Sequence, residues 1–143
     1  YYFDSISIVD LFSGTGNIAF EFASRGTSKI HAVDGNYNCV KFINKISTEF
    51  NFPINAFKSD VFKFLEKTVL TTDIIFADPP YNMDKDKFLK IIALVFERQL
   101  LNKHGMLIIE HSKHMDLSEN NFFSYSKKYG GSVFSFYEAN ENL

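Results

Sequence analysis

Tryptophan is absent from this 143-residue chain, cysteine occurs once and proline three times. The lone thiol, Cys39, excludes an internal disulfide framework and fits a reducing compartment, so a cytoplasmic location is expected. No apolar run approaches the roughly 20 residues that span a bilayer, and no signal-peptide pattern opens the chain, so no membrane partner is expected. Positive charge is scarce too. Fifteen Lys and Arg face seventeen Asp and Glu, for a formal charge of −2 and a pI near 6.1. That balance excludes a broad phosphate-neutralising surface, so any contact with nucleic acid must be local or come from another segment.

What is abundant is apolar and aromatic. Hydrophobic residues make up 45% and aromatic ones 17%, with 17 Phe among them, which is enough for one domain with its own core. The opening Tyr1, Tyr2, Phe3, Asp4, Ser5 has the character of an element's end, and a preceding N-terminal segment is expected.

Apolar runs and helical periodicities alternate along the chain. Ile6 to Leu11 reads as a strand covered on both faces, followed by a glycine turn and a helix over Asn17 to Ser24 that Gly26 stops. Lys29 to Val33 is the second strand, ending at Asp34. Asn36 caps a helix whose Val40, Ile43, Ile46 and Phe50 share one face, and Pro53 closes it. Ile54 to Lys58 is a short third strand, and Val61 to Lys67 a short helix with Phe62 and Leu65 or Phe64 inward. Asp73 to Ala77 is the fourth strand. The longest helical pattern covers Asp84 to Lys103, with Phe88, Ile91, Ile92, Val95 and Phe96 on its apolar face, and His104 and Gly105 end it. Met106 to Glu110 is the fifth strand. Gly130 and Gly131 then split two β-rich runs, Phe122 to Tyr129 and Ser132 to Tyr137, into a hairpin. The pattern predicts an α/β fold, Rossmann-like, with a mainly parallel sheet and a C-terminal antiparallel hairpin.

Two strand ends carry the chemistry. The fourth strand runs into Asp78, Pro79, Pro80 and Tyr81. Proline has no N–H and a fixed φ, so the pair ends the ladder and holds a carboxylate and an aromatic ring in a stiff turn. In open α/β sheets ligands bind at the carboxyl ends of strands. The first strand ends in Asp10, Leu11, Phe12, Ser13, Gly14, Thr15 and Gly16. Gly14, Gly16 and Ala19 fit the dinucleotide fingerprint in its Gly/Ala form, and Asp34 is placed for ribose hydroxyls. Asp10 is poorly placed beside a pyrophosphate and suits an ammonium group. S-adenosylmethionine carries one, along with a carboxylate for the helix N-terminus and an adenosine for Asp34 and Asp60. Asp60 also reads as a helix N-cap.

Asp10 through Gly16, Asp34, Asp60 and Asp78 through Tyr81, in that order and spacing, resemble the class I S-adenosylmethionine-dependent methyltransferases that act on an amino group. Leu11 to Gly16, Ser24 to Gly26 and Lys128 to Gly130 are similar, more narrowly, to the bacterial RsmD type. That resemblance implies a single S-adenosylmethionine-dependent domain over residues 1–143, short of the family's N-terminal extension. It further implies methylation of the exocyclic N2 of a guanine, with ribosomal RNA or the small ribosomal subunit as partner. Cofactor-binding residues are then Asp10, Phe12, Ser13, Gly14, Thr15, Gly16, Asp34, Gly35, Asp60 and Val61. The chain departs from the family at Asp34, where Glu is usual.

Asp78, Pro79, Pro80 and Tyr81 form the expected catalytic group. Asp78 would accept the amine N–H, the Pro79 carbonyl would be a second acceptor, and Tyr81 would stack on an extruded base. Two alternatives stand beside this one: an adenine-N6 DNA methyltransferase, and a nicotinamide oxidoreductase or noncatalytic nucleotide-binding module. Cytosine C5 chemistry would need a thiolate near the fourth strand, and Cys39 is elsewhere. His111 and His114 read as polar-loop residues, with no metal expected, and Lys127 and Lys128 as solvated charges.

Overall fold

The computed structural model describes residues 2–139. The chain divides into two compact units, Tyr1–Thr68 and Val69–Leu143.

The first unit is built on three parallel strands, β1 (Ser7–Leu11), β2 (Lys29–Asp34) and β3 (Ile54–Lys58), in the order β3-β2-β1. Helices α1 (Asn17–Ser24), α2 (Tyr37–Phe50) and α3 (Val61–Lys67) follow them in turn. Every residue of β1 from Ile8 to Leu11 is buried, as its unbroken apolar run foretold, and the run includes the carboxylate of Asp10. Asn36 caps α2 as expected, its side-chain oxygen accepting the Cys39 amide at 3.1 Å. The buried stripe of α2 differs from the one read off the sequence. It consists of Val40, Ile43 and Ser47, while Phe50 is 63% exposed and stacks on Phe52 across the Asn51 turn. The helix ends at Phe50, so no further turn carries that ring into the core. In α3 the inward residues are Val61 and Leu65, with Phe62 and Phe64 half-buried. Ile43 and Ile30, both fully buried, anchor this core, each contributing on the order of 1.5–3 kcal/mol of apolar transfer.

The second unit joins β4 (Thr72–Ala77) in parallel to β5 (Leu101–Ser112), and β7 (Ser132–Glu138) runs antiparallel between β5 and β6 (Phe123–Tyr129), in the order β4-β5-β7-β6. The glycine pair forms the β6–β7 turn, with Gly130 at φ 58°. Helix α4 covers Lys85–Glu97 and buries Phe88, Ile91, Ile92 and Val95. It is six residues shorter at its C-terminus than its sequence pattern, because Gln99 adopts φ 54° and Leu100 donates back to the Val95 carbonyl at 3.0 Å. That is the bond of a Schellman cap, here made without glycine. Phe96 is half-buried, stacked face to face on Phe122 at 4.1 Å.

Strand β5 therefore begins at Leu101 rather than Met106, and His104 and Gly105 form a bulge inside it instead of a helix stop. Thr72 pairs with Leu101 and Ile74 with Met106, so four residues of β5 stand opposite Asp73 alone and three of them are extra. A Cβ on Gly105 would lie 2.8 Å from the Asn102 carbonyl oxygen and 3.0 Å from that of Asp73. Only glycine fits there. Beyond the bulge β5 alternates, burying Leu107, Ile109 and His111, and β7 buries Val133, Ser135 and Tyr137 on the same side by register. No helix among the described residues is long and apolar enough to cross a membrane.

Candidate active site

The glycine turn of the first unit is held by hydrogen bonds that converge on one acid. Leaving β1, the chain passes through Phe12 at φ 56°, Gly14 at φ 54° and Gly16 at φ 88° into α1. A phenylalanine in the left-handed region costs on the order of 1–3 kcal/mol, a strain that tends to sit at binding turns. Holding it are the Ser13 amide, which donates to the Val33 carbonyl at 3.0 Å, and the Gly14 amide, which donates to Asp34 Oδ2 at 2.9 Å. Asp34 Oδ1 accepts the Asn36 amide at 2.8 Å, and the Asp34 carbonyl accepts the Ser59 amide at 3.0 Å. Asp34 thus ties the ends of β1, β2 and β3 together. A carboxylate has about four acceptor positions, so two remain for hydroxyl groups of a ligand.

Gly16 shows how tightly the turn sits on its support. A Cβ there would stand 2.8 Å from Ile43 Cγ1 in the core. Gly16→Ala is expected to cost about 2 kcal/mol, from left-handed strain together with overpacking. Urea denaturation reads this directly, and an unchanged midpoint would show that the turn relaxes freely.

The remaining predicted cofactor residues fall around this turn and the neighbouring strand ends. Asp10 is 2% exposed, one residue before the end of β1. The Ser13 hydroxyl is buried with no hydrogen-bond partner among the described residues, a state that costs roughly 1–3 kcal/mol and that a bound polar ligand would relieve. Thr15 and Gly35 are exposed. Asp60 is the N-cap of α3, its Oδ2 accepting the Lys63 amide at 3.0 Å. The Val61 side chain is buried in the core, which leaves its backbone for any ligand. A strained turn, an orphaned hydroxyl and an acid with spare acceptor positions together fit a polar adenosine ligand.

In the second unit Ala77 is fully buried and Asp78 emerges at the end of β4. Pro79 is buried, Pro80 exposed, and the Pro80 carbonyl accepts the Met83 amide at 3.0 Å, which closes the turn. Tyr81 is 79% exposed, its hydroxyl 3.5 Å from Ser112 Oγ. Ala77 pairs with Ile109, so the next residues, Asp78 just past the end of β4 and Glu110 within β5, stand side by side. One cavity takes in Asp78, Pro79, Tyr81, Glu110, His111 and Ser112. Partial burial, and secondarily the negative charge of Glu110, push the Asp78 carboxyl up to about 6.

His111 is buried within β5, not in a polar loop. Its Nδ1 donates to the Ser112 carbonyl at 3.0 Å, so Nε2 accepts the Ser135 hydroxyl at 2.7 Å. Burial holds its pKa below the usual histidine value, and the neutral ring stitches β5 to β7 beneath the cavity. Ser135 is itself buried, so this pair cannot attack a substrate. Among the described residues there is no group of three or more metal-ligating side chains.

Glu110 and the His111–Ser135 pair were not read from the sequence as site residues. A signal for Glu110 existed: it ends an apolar run, the position that Asp10, Asp34 and Asp78 hold at or near the ends of their own strands.

The family model described as Conserved hypothetical protein 95 matches residues 1–138. The chain belongs to this family. The match takes in every site residue described above, and the likeness to the RsmD type is borne out at the level of the family. The chain is 30% identical over 123 residues to "Putative rRNA methyltransferase YlbH" of Bacillus subtilis, covering 82% of this chain and 66% of that protein. It is 28% identical over 104 residues to "Ribosomal RNA small subunit methyltransferase D" of Buchnera aphidicola, covering 71% of this chain and 52% of that one. It therefore spans just under two thirds of the first and about half of the second. A solved structure titled as a putative methylase, HI0767 from Haemophilus influenzae, superposes with a TM-score of 0.83 at 20% identity, covering 95% of this chain and 88% of that one. The fold of this Conserved hypothetical protein 95 member is the Rossmann-like class I methyltransferase fold, with antiparallel C-terminal strands.

Proposed function

We propose that this chain transfers a methyl group from S-adenosylmethionine to the exocyclic N2 amine of a guanine in small-subunit ribosomal RNA. The carrying observation is Asp78: a carboxylate at a strand end, in a stiff proline turn beside an exposed tyrosine, with its pKa raised to about 6. The names of the two curated relatives, both ribosomal RNA methyltransferases, support the substrate class.

When bound, S-adenosylmethionine supplies an electrophilic sulfonium methyl group. Asp10 would hold its ammonium group, the amides of the Phe12–Gly16 turn its carboxylate, Asp34 its ribose, and Asp60 with the Val61 backbone its adenine. Ser13, Thr15 and Gly35 complete the lining. The exocyclic amine of guanine is a poor nucleophile, because its lone pair is delocalised into the ring. Asp78 accepts one of its N–H groups and the Pro79 carbonyl the other, which returns electron density to nitrogen. Tyr81 stacks on the extruded base, worth about 1–3 kcal/mol. As the N–C bond formed and the methyl–sulfur bond broke, leaving a neutral thioether, the nitrogen would lose one proton to Asp78. Positioning the amine for in-line attack can supply on the order of 7–11 kcal/mol of the barrier.

The test is methyl transfer from tritiated S-adenosylmethionine to small-subunit RNA, followed by nucleoside analysis. The expected product is N2-methylguanosine. N6-methyladenosine, or label only in DNA, would replace this reading with an adenine-N6 DNA methyltransferase. No transfer, together with calorimetric binding of NAD, would replace it with a nicotinamide-binding protein.

A further inference from the structure

We infer that Glu110 is a specificity-determining residue of the acceptor cavity, taking the N1–H of guanine while Asp78 takes the adjacent N2–H. This rests on the reading of Asp78 as the amine acceptor and goes beyond it. The register that pairs Ala77 with Ile109 sets both acids side by side, Asp78 just past the end of β4 and Glu110 within β5. Alternation puts them on the side of the sheet that carries Phe76 and Ile108, and Glu110 pairs across with Phe134 on β7. Both line the one cavity.

The other groups lining that cavity do not neutralise them. Among the described residues no lysine or arginine lines it, and His111, the one basic side chain there, is committed through both ring nitrogens and held neutral by burial. Two carboxylates without a counter-ion want a ligand that presents two neighbouring N–H donors. The Watson–Crick edge of guanine presents N1–H and N2–H side by side. Adenine and 2-aminopurine each place an unprotonated N1 next to the amine, and its lone pair would face the Glu110 carboxylate. Glu110 therefore selects by repulsion as well as by a charge-assisted hydrogen bond.

The test uses uridine-flanked pentanucleotides with a central guanine or 2-aminopurine. Binding of the fluorescent 2-aminopurine strand is read directly and the guanine strand by competition, so no methyl transfer is needed. The parent protein is expected to favour guanine by tens- to a hundredfold. In Glu110→Gln, whose amide can donate to N1, the preference should fall to within about threefold. Carbon NMR of the Asp78 carboxyl provides a second reading, and its titration should move to lower pH in Glu110→Gln. An unchanged guanine preference in the variant, or an Asp78 titration that does not move, overturns the role of Glu110 and leaves the proposed methyl transfer standing. Equal binding of both strands by the parent overturns the role too. If RNA assays then yield N6-methyladenosine, the underlying reading falls separately.

Discussion

Asp78→Ala is expected to lower methyl transfer by about a hundred- to ten-thousandfold, the range over which a positioned proton acceptor acts, while leaving S-adenosylmethionine affinity within about twofold. The split follows from where the residue sits. Asp78 belongs to the second unit and lines the cavity with Tyr81 and Glu110, whereas the hydrogen bonds that shape the glycine turn all come from the first unit. Its removal takes away the group that draws on the amine N–H and touches none of the bonds that order that turn. Asp78→Asn refines the test. Its Oδ1 still accepts one N–H but carries no charge, so it should retain more activity than alanine while losing the capacity to take a proton. Equilibrium binding of the cofactor and single-turnover transfer, measured on the same preparations, separate the two quantities. If alanine weakens cofactor binding as strongly as transfer, Asp78 is a cofactor ligand and the assignment fails.

The strand ends were legible in the sequence because both signals there are local. A buried parallel strand is a short apolar run, and proline or glycine marks where it stops, so β1 to β4 and the acids that follow them stood out. Helix α4 was read too long because its stop is Gln99 in a left-handed conformation, stabilised by bonds to the Val95 and Phe96 carbonyls, and glutamine announces no such turn. The same misreading hid the first half of β5. Asn102, Lys103, His104 and Gly105 are polar or flexible, and only their bulge beside β4 makes them part of a strand. Glu110 and His111 were missed as site residues for a different reason. Their importance depends on which residue lies across the ladder, Asp78's neighbour Ala77 in one case and Ser135 on β7 in the other, and cross-strand register is not written in any local pattern. The structural role of Asp34 was likewise invisible. A ribose acid can be guessed from its spacing, but its hold on Gly14, Asn36 and Ser59 requires the three strand ends to be brought together.

Transfer should also fall steeply in acid, with kcat/KM dropping about tenfold per pH unit below a midpoint near 6 and levelling above pH 7. The groups that face Asp78 fix which residue sets this limb. Glu110 is the charge that helps raise it, and His111 is held neutral by burial, so Asp78 is the group that changes state near pH 6. Stability carries the opposite signature. The folded-state value lies above the ordinary 3.8, so the native protein holds this proton more tightly than the unfolded chain does. The stabilising contribution is complete below pH 3.8 and is lost as pH rises through 6. Ionised Asp78 is thus a burden on the fold at the pH where the proposed transfer would use it, a pattern typical of groups kept for chemistry. Asp78→Asn should consequently be no less stable than the parent in urea at pH 7.5, and the stability difference between the two should shrink or reverse on going to pH 4.5. Activity would fall in the variant, though less than in Asp78→Ala, while stability held. An Asn variant that loses stability at pH 7.5 would instead make Asp78 a structural anchor, and an acid limb midpoint near 4 would mean that its carboxyl is an ordinary surface acid.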